Sequence, residues 1–166
     1  MPKQIAAGER VVILDDRGWE YVERKKGKEA VAVVAVVDGK LILTEQFRVP
    51  VHRRVIDWPA GLVGDEEGAT DPATTAKKEL EEETGYVCDS VELLAKGPTS
   101  PGITSEQVSF YRAHNARREG EGGGVGGEDI TVHLVPLAEA EAWLRARGED
   151  VLVDLKVWGG LYFVKS

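Results

Sequence analysis

The stretch Lys78-Glu79-Leu80-Glu81-Glu82-Glu83-Thr84-Gly85-Tyr86 concentrates acid where a helix would display it. On a helix Glu79 and Glu83 stand at i,i+4 and Glu79 and Glu82 at i,i+3, so the three share one face. Leu80, Ala76 and Ala73 lie on another face, toward a core. Like charges at i,i+4 cost an isolated helix ~0.2–0.5 kcal/mol per pair. A divalent cation converts that repulsion into ligation, and Mg²⁺ prefers carboxylate, water and phosphate oxygens. Taken alone, the helix also fits a solvated face, because Lys77 and Lys78 are spaced to pair with Glu81 and Glu82. Upstream stand Pro59-Ala60-Gly61 and, after five intervening residues, Glu67.

The rest of the chain must position these groups. Asp71 is a good N-cap, Pro72 suits the first helical position and Gly85 the C′ position, so a helix is expected over 73–84. Ala30 to Val37 is apolar throughout and reads as a strand buried on both faces. Asp38-Gly39 turns it back into a return strand over Leu41 to Phe47. Further strands are expected at 55–58, 91–94, 108–113 and 130–135, with loop over 61–70. Val11 to Leu14, the turn Asp15-Asp16-Arg17-Gly18, and Trp19 to Arg24 read as an N-terminal hairpin. Six glycines between Gly120 and Gly127 predict a mobile loop. Leu137 to Arg147 predicts an amphipathic helix with Trp143 and Leu144 inward, and 151–164 a weaker helix interrupted by Gly159 and Gly160. Together these give an α/β domain with a mixed sheet between a few helices.

Composition narrows the partners. The 166 residues carry a formal net charge of −8, against a sequence-independent nucleic-acid binder. No apolar run reaches the ~18 residues of a spanning helix and no signal peptide is evident, so a cytoplasmic protein without membrane partners is expected. A single cysteine, Cys88, excludes an intrachain disulfide and reads as a small packing residue. His52, His114 and His133 show no metal-ligand spacing to one another.

With its flanks, the acidic helix resembles the Nudix box, G-x5-E-x7-R-E-U-x-E-E-x-G-U. Gly61 and Glu67 fit the first half; Glu79, Leu80, Glu82, Glu83, Gly85 and Tyr86 fit the second. Two features depart: ten residues, not seven, separate Glu67 from Lys78, and Lys78 replaces an arginine whose fork it cannot reproduce. Glu45-Gln46-Phe47-Arg48, Ile56 to Gly61, Ser100-Pro101-Gly102 with Pro101 fifteen residues past Tyr86, Glu106, and Glu128 to His133 are similar to the ADP-ribose pyrophosphatase branch of Nudix hydrolases. The similarity runs from about Tyr21 to Val164.

The resemblance implies an α+β fold: a Nudix-type α/β/α sandwich with a mixed sheet over 29–166, plus an N-terminal antiparallel hairpin subdomain over 1–28, exchanged in a homodimer. It implies Mg²⁺-dependent hydrolysis, with Mn²⁺ as an alternative, of the diphosphate of ADP-ribose or a related nucleotide sugar. Glu79, Glu82, Glu83 and the carbonyl of Ala60 would hold metal, with Glu67 supporting them or binding through water. The base would sit on the glycine-rich loop, at Glu128, with Glu121 and Glu119 as alternatives and Glu82 also in the catalytic set. Arg48 and Arg54 (or Arg53) would bind phosphate, alongside Pro101 and Gly102. Trp19 would stack a base or pack in the dimer; Trp58 is a further candidate for the site, and Trp143 and Trp158 for core or interface. A non-catalytic nucleotide-binding module, or a hydrolase of another nucleoside diphosphate derivative such as GDP-mannose or a dinucleoside polyphosphate, remains open at this point.

Overall fold

A computed structural model describes residues 1–27, 29–64 and 71–165, the side chain of Lys165 excepted. Glu67 therefore lies outside the described residues.

Three strands open the chain: β1 (Lys3–Ala7), β2 (Val11–Asp16) and β3 (Trp19–Arg24). They form an antiparallel sheet in the order β1-β2-β3. The expected hairpin is thus two strands of three. β1 escapes sequence reading because Lys3-Gln4-Ile5-Ala6-Ala7 lacks alternation and is exposed throughout; pairing with β2 makes it a strand, not propensity. The sheet docks on its own chain through Val22 N–H to Ile103 O (2.8 Å) and Ser105 N–H to Val22 O (3.2 Å).

The core follows. β4 (Glu29–Val34), β5 (Val36–Val37), β6 (Lys40–Arg48), β7 (Arg53–Asp57) and β8 (Ala60–Val63) precede the helix α1 (Pro72–Thr84). β9 (Tyr86–Val87), β10 (Ser90–Pro98), β11 (Gln107–His114), β12 (Arg117–Arg118) and β13 (Ile130–Pro136) come next. The chain ends with α2 (Ala140–Arg145), β14 (Val151–Val153) and α3 (Leu155–Lys165). β10-β11-β4-β8 make one sheet and β13-β6-β7-β14 another, β5 also pairing with β6. Both are mixed: β11–β4 and β7–β14 run parallel, the rest antiparallel.

β4 shows why the fold is layered. Val31 and Val33 pack with Ala76 and Leu80 of α1 on one face. Ala32 and Val34 pack with Leu144 of α2 and Val157 and Leu161 of α3 on the other. An all-apolar strand is what such a doubly covered position requires. Three expectations are corrected. Residues 61–63 belong to β8 rather than to a loop, because Ala60 to Val63 pair with Glu29 to Ala32 of β4. The segment 151–164 is a strand followed by a helix, Val151–Val153 pairing with Arg54–Ile56 before α3 starts. Likewise Leu137–Glu139 is a 3₁₀ turn leading into a shorter α2.

Candidate active site

The helix α1 forms as its ends dictate. The Asp71 carboxylate accepts from Thr74 N–H (2.9 Å) and Pro72 occupies the first turn. Gly85 ends the helix at φ 74°, and a side chain there would collide with Gly120 O, which an added Cβ would meet at 2.3 Å.

From α1, Glu79 and Glu83 project into a cleft of about 1320 Å³ shared with Arg48, Ala60, Gly61 and Glu128. Glu83 is buried, 6% exposed. Its Oε2 accepts the Ala60 N–H at 3.0 Å. Burial pushes its carboxyl up to about 8; the charges of Glu79 and Glu128 push the same way, while the Ala60 N–H and Arg48 pull down. Glu79 lies directly over Gly61, where an added Cβ would fall 1.9 Å from Oε1. The glycine is required by this close approach, since its backbone needs no positive φ.

Glu128 arrives by an unexpected route. The glycine-rich segment is irregular, as predicted, but it is not a free lid. Glu119 N–H and Gly120 N–H both donate to Gly85 O, Gly123 N–H to Glu83 O and Gly124 N–H to Glu82 O, at 2.8–3.0 Å. These bonds satisfy the orphan carbonyls at the end of α1. They also need glycine: an added Cβ at Gly122 (φ 72°) would meet the carbonyl carbon of Thr84 at 2.3 Å. Glu128 Oε2 accepts Val125 N–H at 3.2 Å, which folds the end of this strap back toward the cleft.

Other candidates fall elsewhere. Glu82 does not line the cleft; its carboxylate stands 3.5 Å from Lys78 Nζ. Glu121 is fully exposed, 3.9 Å from Arg118, and Glu119 pairs with Arg117 at 2.8 Å. Arg54 is occupied on the sheet, reaching Glu45 at 2.5 Å and Asp129 at 3.0 Å, and Arg53 is exposed with a bond to His52 O. Arg48 alone of the three faces the cleft. Trp19 stands 63% exposed, its Nε1 donating to Gly102 O at 3.3 Å, so the hairpin meets the Pro101-Gly102 loop outside the cleft lining. Trp58 is fully buried and belongs to the core, correcting its candidacy for the site. Trp143 stacks against His133 and Arg147.

Sequence reading missed several cleft residues. Arg10, Arg24 and Lys96 line it from the N-terminal sheet and β10. Arg24 is paired with Glu106 at 2.6 Å and Lys96 with Glu29 at 2.5 Å. Asp57 and Lys156 also line it, their ion pair measuring 2.9 Å. Burial holds Asp57 above the usual carboxylate range despite the ammonium nearby. Burial would lower Lys156, but the two aspartates beside it win and raise it. No local motif announces a pair ninety-nine residues apart; only the β7–β14 pairing creates it.

The donor set is entirely oxygen, which suits a hard divalent cation. Carboxylates gathered round a buried Glu83 form a charge cluster that such a cation could neutralise. Among the described residues no three His, Cys, Asp or Glu side chains already stand together at ligand distance. Glu79, Glu83 and the Ala60 backbone are the groups placed to close around one.

Mixed sheets covered by α1 on one side and α2 and α3 on the other, with an acidic helix and a strap-held glutamate, define a class, and the comparisons agree. The NUDIX domain model matches residues 26–155, and the chain belongs to the Nudix family. It is 39% identical over 114 residues to a methanol dehydrogenase activator of Bacillus methanolicus, covering 68% of this chain and 60% of that protein. It is 44% identical over 85 residues to an ADP-ribose pyrophosphatase of Bacillus subtilis (51% of this chain, 44% of that one). An ADP-sugar pyrophosphatase of Mus musculus is 34% identical over 160 residues, covering 86% and 71%. The chain thus spans about half the length of the two bacterial relatives. A crystal structure of an ADP compounds hydrolase superposes with a TM-score of 0.72 at 22% identity, covering 99% of this chain and 92% of that one, and shares the fold. No helix of the described residues is long and apolar enough to cross a membrane.

Proposed function

We propose that this chain is a divalent-metal-dependent pyrophosphohydrolase that cleaves the diphosphate of ADP-ribose or a related nucleotide sugar into a nucleoside monophosphate and a sugar phosphate. The observation that carries the reading is the buried Glu83, bonded to Ala60 N–H and crowded by Glu79 and Glu128 beside Arg48. Relatives named for ADP-ribose, GDP-mannose and ADP-sugar hydrolysis support the substrate class.

Glu79, Glu83 and the Ala60 carbonyl would hold the cation, Glu82 joining by giving up Lys78. When bound, Mg²⁺ or Mn²⁺ neutralises phosphate oxygens and lowers the pKa of a coordinated water. Arg48 binds the diphosphate as a charge-assisted donor. Glu128 takes the proton from the attacking water; the new P–O bond forms as the bridging P–O bond breaks, and the displaced phosphate leaves on one half of the substrate. Glu67, which falls between β8 and α1 in the sequence, would support the metal as the resemblance implies.

The protein acts as a homodimer of 29–166 catalytic units joined through their N-terminal sheets, each sheet keeping its bonds to the Ile103–Ser105 loop of its own chain. The exposed Ile5, Ile13 and Trp19 on that sheet support this, since a small sheet is marginal without a covered face. Trp19 would then stack the base, worth ~1–3 kcal/mol, beside Pro101 and Gly102 of the neighbouring loop. A cytoplasmic setting fits the single cysteine. A nucleotide-sugar panel with product analysis tests the reading. Metal-dependent formation of AMP and a sugar phosphate from ADP-ribose is expected; absence of turnover of every nucleotide sugar with both Mg²⁺ and Mn²⁺ would overturn it.

A further inference from the structure

The segment from Ile56 to Ala60 carries the backbone that touches Glu83, and something must hold it still. On one side Pro59 O accepts Val33 N–H from β4 at 2.8 Å. On the other side the C-terminal segment grips it at several points. Asp154 N–H donates to Ile56 O at 2.9 Å. Trp58 Nε1 donates to Lys156 O at 3.0 Å. Gly160 lies so close to the Trp58 ring that an added Cβ would fall 2.3 Å from Nε1.

At the centre of this grip is an ionic clamp. Lys156 Nζ lies 2.9 Å from Asp57 Oδ2 and 2.6 Å from Asp154 Oδ2. The other oxygens are also engaged: Asp57 Oδ1 accepts Trp58 N–H at 2.8 Å and Asp154 Oδ1 accepts Lys156 N–H at 2.8 Å. Asp57 is 5% exposed, so its partner cannot be replaced by bulk water. The Nudix match ends at residue 155. The ammonium is therefore supplied from just beyond the matched domain, by the first turn of α3.

We propose that Lys156 is a positioning residue: by bridging Asp57 and Asp154 it fixes the Ile56–Ala60 segment, and with it the Ala60 N–H that holds Glu83 in place. Lys156 performs no chemistry. It acts through Asp57 and Trp58, three and two residues before Ala60, on the side of the cleft where the carboxylates gather. The proposal rests on the reading of Glu83 as a metal ligand only for its effect on catalysis; the mechanical claim stands apart from it.

The test compares wild type with Lys156→Met, Lys156→Arg and Asp154→Asn. Backbone amide exchange is followed by NMR at Ala60 and, as a reference on the far side of β4, at Tyr111 in β11. Mn²⁺ binding is titrated by electron paramagnetic resonance on the same samples. Lys156→Met is expected to speed Ala60 exchange about tenfold or more relative to Tyr111. It should weaken Mn²⁺ binding by about tenfold, the usual scale for loss of a group that orients a ligand. Lys156→Arg should restore both to within about threefold, and Asp154→Asn, which keeps the Asp57 pair, should fall between. Equal acceleration at Ala60 and Tyr111, or none at Ala60, would overturn the proposal. If Lys156→Met does not fold, Asp154→Asn decides on the same readouts. A wild type that binds no Mn²⁺ while Ala60 still responds to Lys156 would refute the metal reading and leave the clamp standing.

Discussion

Glu83 is held in two conflicting ways: burial and two neighbouring carboxylates disfavour its charge, while one backbone N–H and Arg48 favour it. A buried carboxyl held in this way, in a cleft, is a candidate for chemistry. Glu83→Gln keeps an acceptor for Ala60 N–H and removes the charge. It should leave thermal stability equal or higher and lower kcat by about 100-fold or more, measured by product release beside calorimetry. Gly61→Ala is a sharper probe, because the methyl group must evict the Glu79 carboxylate rather than the backbone. It should reduce kcat by about tenfold or more while the unfolding midpoint moves little. A Gly61→Ala protein with normal kcat would remove Glu79 from the metal site.

At the scale of elements, α1 was readable because each end carries its own local chemistry: Asp71 and Pro72 at the start, Gly85 at the close. β4 and β6 were readable because the Asp38-Gly39 turn joins two apolar runs, though the expected strand 30–37 breaks at Ala35 into β4 and β5. What failed depended on distant partners. β8 and β14 become strands only against β4 and β7. The glycine-rich strap reads as a mobile loop because glycine signals freedom in sequence; here the same residues permit close backbone approach to α1. Of the site, Glu79, Glu83 and Arg48 were legible from spacing and resemblance, whereas the displacement of Arg54 onto Glu45 was not. Gly122→Ala should displace the strap and with it Glu128, lowering kcat with little change in KM for the nucleotide sugar. The Glu45 network offers a pH test. Burial would raise Glu45, yet bonds and charge from Arg54 and His133 outweigh it and hold it below the usual carboxylate range. A lowered folded pKa stabilises above the unfolded value and loses that stability as pH falls through the folded value. The stability gap between wild type and Glu45→Gln, about 1–3 kcal/mol at neutral pH, should therefore shrink in acid urea titrations below about pH 4.5; a gap constant down to pH 3 would contradict the network.

Over the whole molecule, charges of both signs meet in the cleft, where Asp57, Glu79, Glu83, Glu106, Glu128 and Asp154 stand beside basic side chains. A chain of net charge −8 places Arg10, Arg24, Arg48 and Lys96 along one cleft. Two of these are neutralised by Glu106 and Glu29, which leaves Arg10 and Arg48 to draw an anion toward the carboxylates. Salt should consequently raise KM several-fold between low and physiological ionic strength and leave kcat nearly unchanged. The account turns on one physical statement, that the Glu79–Glu83 face of α1 grips a cation against a diphosphate. A crystal grown with Mn²⁺ and a non-hydrolysable ADP-ribose analogue measures this directly through anomalous scattering. The account predicts a peak bounded by Glu79, Glu83 and the Ala60 carbonyl, with the diphosphate against Arg48. A bound analogue with no peak at that face, or with the metal held elsewhere, would contradict it.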